Sequence, residues 1–199
     1  MNDKKLADGC KSGDRGAMKI LYERYYSRML GVCQRYAYNF ADAEDFVQDG
    51  FIKIFKDIRS YKGTGSLEGW IRRVMINNVL MHLRKKKREY ASDTLETTAD
   101  DTREDYHKDI ENESGFLPPE AFDITQKEVI EMIQTLPDGY RKVLNLHIVD
   151  GFKHREIAVM LSISEGTSKS QLNRARKIMR KKLTEYIQQK KIINIKQKF

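Results

Sequence analysis

The groups that most often make or break bonds are not arranged for that work in this chain. Cys10 and Cys33 stand alone without a CxxC pair, and the histidines at 82, 107, 147 and 154 have neither a His-x3-His spacing nor a thiol nearby. No structural metal site is legible, and both thiols read as reduced packing groups. No nucleophile, general base or metal constellation comes together either, so no catalytic residue is named. What the sequence does hold is cations in register. On a helical wheel started at Glu165, Leu172, Ala175, Met179 and Leu183 fall between about 280° and 360°, while Arg176, Lys169, Arg180, Asn173, Lys177, Ser170 and Arg174 fill about 20° to 180°. No acid interrupts the stretch between Glu165 and Glu185, whereas a merely solvated helix face usually mixes both signs. Such a face suits a polyanion.

Two further clusters lie nearer the start. The helix beginning at Trp70, WIRRVMINNVLMHLRKKKR, carries Arg72, Arg73 and Asn77 on its exposed side and ends in five consecutive basic residues, Arg84 to Arg88. Its inward side should hold Trp70, Val74 and Leu80 or Met81. The basic run could complement a helix C-terminus, but it exceeds what capping needs. The preceding loop, Tyr61 to Gly69 (YKGTGSLEG), is Gly-rich, and a mobile loop beside a basic helix can track phosphates and pocket an extruded base of a single strand. Trp70 could stack on that base or simply belong to the core.

The segment 42–58, DAEDFVQDGFIKIFKDI, divides differently. Phe46, Val47, Phe51, Ile54, Phe55 and Ile58 take one side, and Asp45, Gln48, Asp49 and Ile52 the other. An acidic stripe around an exposed Ile fits a protein-binding surface with an apolar anchor and a charged rim. Solvation, with acids favoured near a helix start, explains the same stripe equally well.

These clusters need elements to hold them, and the composition points to helices. The chain has 199 residues, 33% of them charged, and only 3 Pro, which fits one or two small helical domains rather than a large sheet. No window reaches the roughly 18 consecutive apolar residues of a membrane span, and residues 1–10 lack the apolar core of a signal peptide; a cytoplasmic protein is expected. Charge is segregated. Residues 1–90 hold 19 basic and 11 acidic side chains, 91–122 hold 2 and 10, and 123–199 hold 16 and 8. The acidic middle has few aliphatics and a Pro118-Pro119 stop, and reads as a solvated tether. Two basic modules so linked can grip one polyanion at two places, although a basic balance can also serve solubility alone.

In the C-terminal module, breaks at Asp150-Gly151 and Ser162-Ile163-Ser164 define three helices. The short middle one, His154 to Leu161, has Ile157, Ala158 and Leu161 on one face, and Ser164 can cap the third, which begins at Glu165. This is the pattern of a helix-turn-helix. Lys169, Ser170 and Asn173 lie in the first turns, where a recognition helix enters the major groove, and the later Arg and Lys suit phosphates.

Taken together, these stretches resemble the extracytoplasmic-function sigma factors of the sigma-70 family. Asp42-Ala43-Glu44-Asp45-Phe46-Val47-Gln48-Asp49-Gly50-Phe51 is similar to the family's region 2 core-binding helix, and Trp70-Ile71-Arg72-Arg73-Val74 with Asn77 to the helix that binds the minus-ten element. Leu136-Pro137, Glu156-Ile157-Ala158 and Glu165 to Arg176 resemble region 4. Ser168 and Gln171 depart from it, standing where many members have Val and Arg, and Met81-His82 replaces a commonly acidic position.

The resemblance implies an all-α chain: region 2 over 1–90, a flexible linker over 91–122, a helix-turn-helix region 4 over 123–187 and a basic tail over 188–199. It implies Asp45, Gln48, Asp49 and Ile52 as contacts to the β′ clamp helices of core RNA polymerase, with the β flap as a second polymerase contact. Minus-ten contacts would be Lys53, Lys62, Thr64, Ser66, Arg72, Arg73 and Asn77. Minus-thirty-five contacts would be Thr167, Lys169, Ser170, Asn173, Arg174, Arg176 and Lys177. Promoter DNA and an anti-sigma factor are the other implied partners; no cofactor, metal or small-molecule substrate is. Two rival classes remain, a conventional helix-turn-helix regulator that binds duplex operators without polymerase, and a nucleic-acid enzyme such as a recombinase. The first would have no use for the Asp45, Gln48, Asp49 face, and the second lacks a catalytic constellation.

Overall fold

Helix starts are written into this sequence as short polar side chains. In the computed structural model, which describes the backbone of 2–93 and 124–196 and the side chains of 2–86 and 124–190, six of the eight α-helices begin behind such a residue. Asn2 caps α1 (Asp3–Lys11), Asp14 caps α2 (Arg15–Gln34) and Asn39 caps α3 (Phe40–Asp57), each accepting a backbone N–H at 2.8–2.9 Å. Ser66 does the same for α4 (Leu67–Asp93), Thr125 for α5 (Gln126–Gln134) and Ser164 for α8 (Glu165–Lys196). Each cap satisfies a donor that the helix itself leaves orphaned. Helices α6 (Asp138–Leu144) and α7 (His154–Leu161) complete the chain, and a π turn, Asn145–Val149, extends α6. There is no strand among the described residues.

Helices α1 to α4 form one packed group. α3 packs against both α2 and α4, burying Phe46, Val47, Phe51, Ile54 and Ile58 as its sequence pattern predicts, with Phe55 only half-buried and Ala43 buried in addition. α4 differs from expectation. Its inward residues are Leu67, Ile71, Met75, Ile76, Val79, Leu80 and Leu83, while Trp70 and Val74 are half-buried and Met81 is 52% exposed. The reason is that α4 meets both α2 and α3, so its apolar stripe is broad and centred on Ile71, Met75 and Val79. Trp70 is left at the edge, against Tyr61 at 5.7 Å between ring centroids. The loop is also shorter than expected. Leu67 is buried and already helical, so only 61–66 remain outside helices and turns. Both cysteines are buried free thiols, and burial pushes Cys33 up to about 12, far from thiolate reactivity.

The second group packs α6 and α7 against α8 around Val143, Leu146, Ile157, Leu172 and Ala175. The turn between α7 and α8 is the helix-turn-helix corner. Ser162 adopts the left-handed conformation at φ 57°, and the Ile163 N–H donates back to the Ala158 carbonyl at 3.0 Å, closing α7 in the manner of a C-terminal cap. α5, which the sequence pattern does not single out, precedes this trihelix and is tied to the far part of α8. Glu128 closes a capping box with Thr125 and also accepts from Tyr186 and Lys190. α8 runs unbroken through Lys196, so the backbone does not leave the helix at residue 188. The expected tether, 91–122, lies outside the described residues except where α4 continues to Asp93.

The two helical groups are docked on each other, with α4 of the first against α7 of the second.

Two outcomes test this packing. A Cβ on Gly50 would stand 2.1 Å from Met75 Sδ, and Met75 has no exposed surface with which to move aside. Gly50→Ala should therefore lose stability by about 1–3 kcal/mol in denaturant melts, despite the gain in helix propensity, and Met75→Ala in the same chain should restore part of it. The Tyr186 hydroxyl, followed by the Thr125 backbone N–H and hydroxyl, holds the Glu128 carboxyl down to about 2. A depressed carboxyl stabilises the fold above the ordinary Glu value, about 4.3, and that contribution fades as pH falls toward 2. Circular-dichroism melts should show Glu128→Gln less stable than the natural chain at pH 7, with the gap closing between pH 4 and 2.

Candidate nucleic-acid interface

The exposed face of α8 is laid out as its wheel predicts. Thr167, Lys169, Ser170, Asn173, Arg176 and Lys177 are all exposed, on the side away from buried Ser168, Leu172 and Ala175. Ser164 fixes the first turn, its hydroxyl accepting the Thr167 N–H at 2.9 Å and meeting the Thr167 hydroxyl at 2.8 Å. Lys169 pairs with Glu165 at 2.8 Å, and this holds the Glu165 carboxyl below its ordinary value. Arg174 sits aside from the rest. It is half-buried and donates to the Tyr140 hydroxyl of α6 at 3.3 Å. Six of the seven expected residues thus share an exposed face at the start of a helix, with the geometry to enter a groove.

The second site is built on the 61–66 loop and the first turns of α4. Gly63 and Gly65 take positive φ, 76° and 80°, with open space around each. Beneath them Tyr61 is buried and donates its hydroxyl to the Gly65 carbonyl at 2.9 Å. The loop is therefore pinned at its base and raised at its tip, where Lys62, Thr64 and Ser66 are exposed. Asn77 is exposed one helical turn from Arg73, and Lys53, on α3, pairs with Asp57 at 3.6 Å. Of the two arginines expected on the exposed side of α4, Arg73 is exposed and Arg72 half-buried, and both meet acids of the C-terminal group. Arg72 reaches Asp150 at 3.6 Å and Glu68 at 3.7 Å, and Arg73 reaches Glu156 at 2.6 Å with its guanidinium 5.2 Å from the Phe152 ring centroid. The C-terminal group covers Arg72 in part and leaves Arg73 at its open margin.

That junction was not legible in the sequence. Asp150, in the turn before α7, has a side chain with 0% exposure. Arg35 donates to its Oδ1 at 2.8 Å and the Tyr36 hydroxyl to its Oδ2 at 2.7 Å. Burial pushes the Asp150 carboxyl above its ordinary value, against the opposing pull of Arg35, Tyr36 and Arg72. Around it, Asn145 donates to the Arg35 carbonyl at 2.9 Å and Gln134 to the Gln34 carbonyl at 3.0 Å, and Arg141 stacks on Tyr38 at 4.5 Å. More than a hundred positions separate most of these partners, and no periodicity joins residues so far apart.

The third cluster is the acidic side of α3. Asp45, Gln48 and Asp49 are exposed and line a cleft with Phe46, and Ile52, farther along α3, is 53% exposed. The opposite wall is the basic end of α4. His82 lies 3.2 Å from Asp49 and Lys86 lies 3.3 Å from Asp42. The stripe is thus an accessible anionic and apolar surface with cations at its border. Among the described residues no group of three His, Cys, Asp or Glu could hold a metal ion.

Comparison with known proteins agrees with this geometry. The family model for sigma-70 region 2 matches residues 21–89 and that for sigma-70 region 4 matches residues 126–179. The chain is 30% identical to the ECF RNA polymerase sigma factor SigW of Bacillus subtilis over 186 residues, covering 92% of this chain and 97% of that one. It is 28% identical to the RNA polymerase sigma-H factor of Pseudomonas aeruginosa, covering 91% and 93%. In fold it is similar to the sigma factor RpoE of Bartonella quintana, solved in complex with the anti-sigma factor NepR, at a TM-score of 0.51 and 20% identity over 84% of this chain and 96% of that one. With both regions matched and relatives aligned along nearly their whole length, the chain belongs to the ECF sigma factors of the sigma-70 family.

Proposed function

We propose that this sigma factor works through three separate surfaces, each assigned to one partner. The acidic side of α3, with Asp45, Gln48, Asp49 and Ile52, docks on the β′ clamp helices of core RNA polymerase, and the C-terminal group meets the β flap. The 61–66 loop and α4, through Lys53, Lys62, Thr64, Ser66, Arg72, Arg73 and Asn77, hold the melted minus-ten strand. The α8 face, Thr167 to Lys177, reads the minus-thirty-five duplex. Residues 1–90 and 123–187 are the two working domains, 91–122 the tether and 188–199 a basic tail. The polymerase supplies the catalysis and this chain directs it, in the cytoplasm, with an anti-sigma factor as its natural antagonist. No helix among the described residues is long and apolar enough to cross a membrane.

One observation carries the reading: the α3 stripe is exposed and acidic, with an apolar centre, in a chain whose other two surfaces suit polyanions. A DNA-binding regulator working alone gains nothing from such a stripe, because it repels phosphate. Asp45→Arg should leave helicity unchanged, since the side chain is exposed, and should abolish pull-down of core polymerase and run-off transcription. Normal polymerase affinity in that variant would remove the assignment of α3.

Strand capture makes a separate prediction. A base enters a pocket only after unstacking, which costs a few kcal/mol that contacts to the captured base must offset. Asn77→Ala, or a chain with 63–66 replaced, should fail on duplex promoters and recover much of its run-off transcription on a template with a pre-melted minus-ten bubble. Permanganate footprinting reports the melted thymines; opening at the natural rate would contradict capture by this loop.

A further inference from the structure

The Asp150 carboxylate sits in a cradle made entirely by the other domain. Arg35 offers one guanidinium nitrogen at 2.8 Å, the Tyr36 hydroxyl lies at 2.7 Å and Arg72 approaches at 3.6 Å. Tyr36 is fully buried and the Arg35 side chain only 13% exposed, so these donors are held in place by packing. Arg35 is steadied further by a bond from its second terminal nitrogen to the Gly31 carbonyl at 3.2 Å. Its Nε is buried without a hydrogen-bond partner among the described residues, so the single carboxylate leaves the donor set unfilled. A planar guanidinium fork and a neighbouring hydroxyl match a phosphodiester as well as they match a carboxylate, because both present two oxygens sharing one negative charge. Arg72 belongs to the surface proposed to hold the melted strand, and its neighbour Arg73 meets Glu156 at 2.6 Å with both side chains still open to solvent.

We propose that Arg35, the Tyr36 hydroxyl and Arg72 form a phosphodiester-binding site on the N-terminal domain, which Asp150 of the C-terminal domain fills when the chain is closed. Backbone phosphate and Asp150 compete for one cradle, so the closed chain occludes the Arg72 corner of its strand-binding surface and opening exposes it. The inference rests on the strand-binding reading only for which surface Arg72 serves; the cradle itself needs no promoter and no polymerase.

The test uses the full chain, a fluorescent single-stranded DNA of mixed sequence read by anisotropy over a salt series, and small-angle scattering for closure. Asp150→Asn keeps the shape of the side chain and removes its charge. It should give a larger radius of gyration at unchanged helicity and bind the strand about tenfold more tightly, the gain expected for a chain otherwise closed about nine-tenths of the time. Arg35→Gln breaks the same junction from the other side and should also expand, yet it should bind more weakly than Asp150→Asn, with a log-log salt slope smaller by about 0.7, one single-strand phosphate. Expansion of Asp150→Asn without tighter binding would overturn the phosphate site. An Asp150→Asn chain as closed as the natural one would overturn the occlusion. Equal slopes for the two variants would remove Arg35 from the site. Should Asp150→Asn lose helicity, Arg35→Gln against the natural chain decides alone, by the same slope. Because the strand is of mixed sequence and polymerase is absent, failure of promoter-directed transcription would leave these results standing, and the reverse holds too.

Discussion

A carboxylate with no exposed surface, held by two arginines and a tyrosine from the other half of the chain, sets the relation between the two domains. Taking a carboxylate and a guanidinium out of water is costly, and their attraction repays that cost only when the remaining hydrogen-bonding capacity is also met. Here it is met in part. Both Asp150 oxygens are engaged, but Arg35 Nε is not, and the carboxyl is pushed above its ordinary value even with cations beside it. Desolvation therefore exceeds the pull of the partners. Such a junction fixes one orientation firmly while adding little net stability, since any other arrangement of the same buried groups would leave a charge unpaired.

The remaining contacts between the domains have the same character. Asn145 and Gln134 donate to the carbonyls of Arg35 and Gln34, Tyr38 donates to Asp138 at 3.4 Å, and Arg73 meets Glu156 at the exposed margin. These are polar groups for which water is a ready substitute partner. The cores behave otherwise. Leu21, Met29, Ile54, Ile71 and Met75 on one side, and Val143, Leu146, Ile157 and Ala175 on the other, have no exposed surface at all. Apolar burial on that scale is the main favourable term in folding, and the buried apolar residues of both groups belong to one continuous cluster, so the polar contacts set how the groups are oriented and are not the whole of their interface.

What the sequence revealed follows the same division. Faces that lie on one helix are legible because their residues recur every three or four positions: Asp45, Gln48, Asp49 and Ile52 on α3, and Lys169, Ser170, Asn173, Arg176 and Lys177 on α8, are exposed as their wheels require. Caps are legible because a single residue type beside a periodic run marks them, as at Ser164. Faces set by two neighbours at once are read less well. Trp70 looks inward on a narrow stripe but sits at the edge, because α4 is covered by both α2 and α3. Arg174 falls on the basic arc of its wheel yet turns to Tyr140, thirty-four positions earlier. The Asp150 junction was beyond reach for a further reason. Its members are an Arg-Tyr pair at the end of α2, an Arg within a basic helix and an Asp in an Asp-Gly turn, and no periodic pattern links them.

That last point bears on how one set of cations can serve two ends. Arg72 and Arg73 are placed by the rigid frame of α4, whose buried side is locked by Ile71, Met75 and Ile76. Their positions relative to the loop and Asn77 cannot change without unpacking that frame. The acids of the C-terminal group that meet them, Asp150 and Glu156, come from the turn and first helical residues around α7, which carry no part of the α8 face. Closing the chain thus covers cations of the proposed strand surface while leaving Lys169, Ser170, Asn173 and Arg176 exposed. On the proposed roles, a closed chain could still meet a duplex through α8, and only a chain whose domains have parted could hold a melted strand. Duplex recognition and strand capture would then be ordered by geometry, with the carboxylate of one domain holding the place that a phosphate takes later.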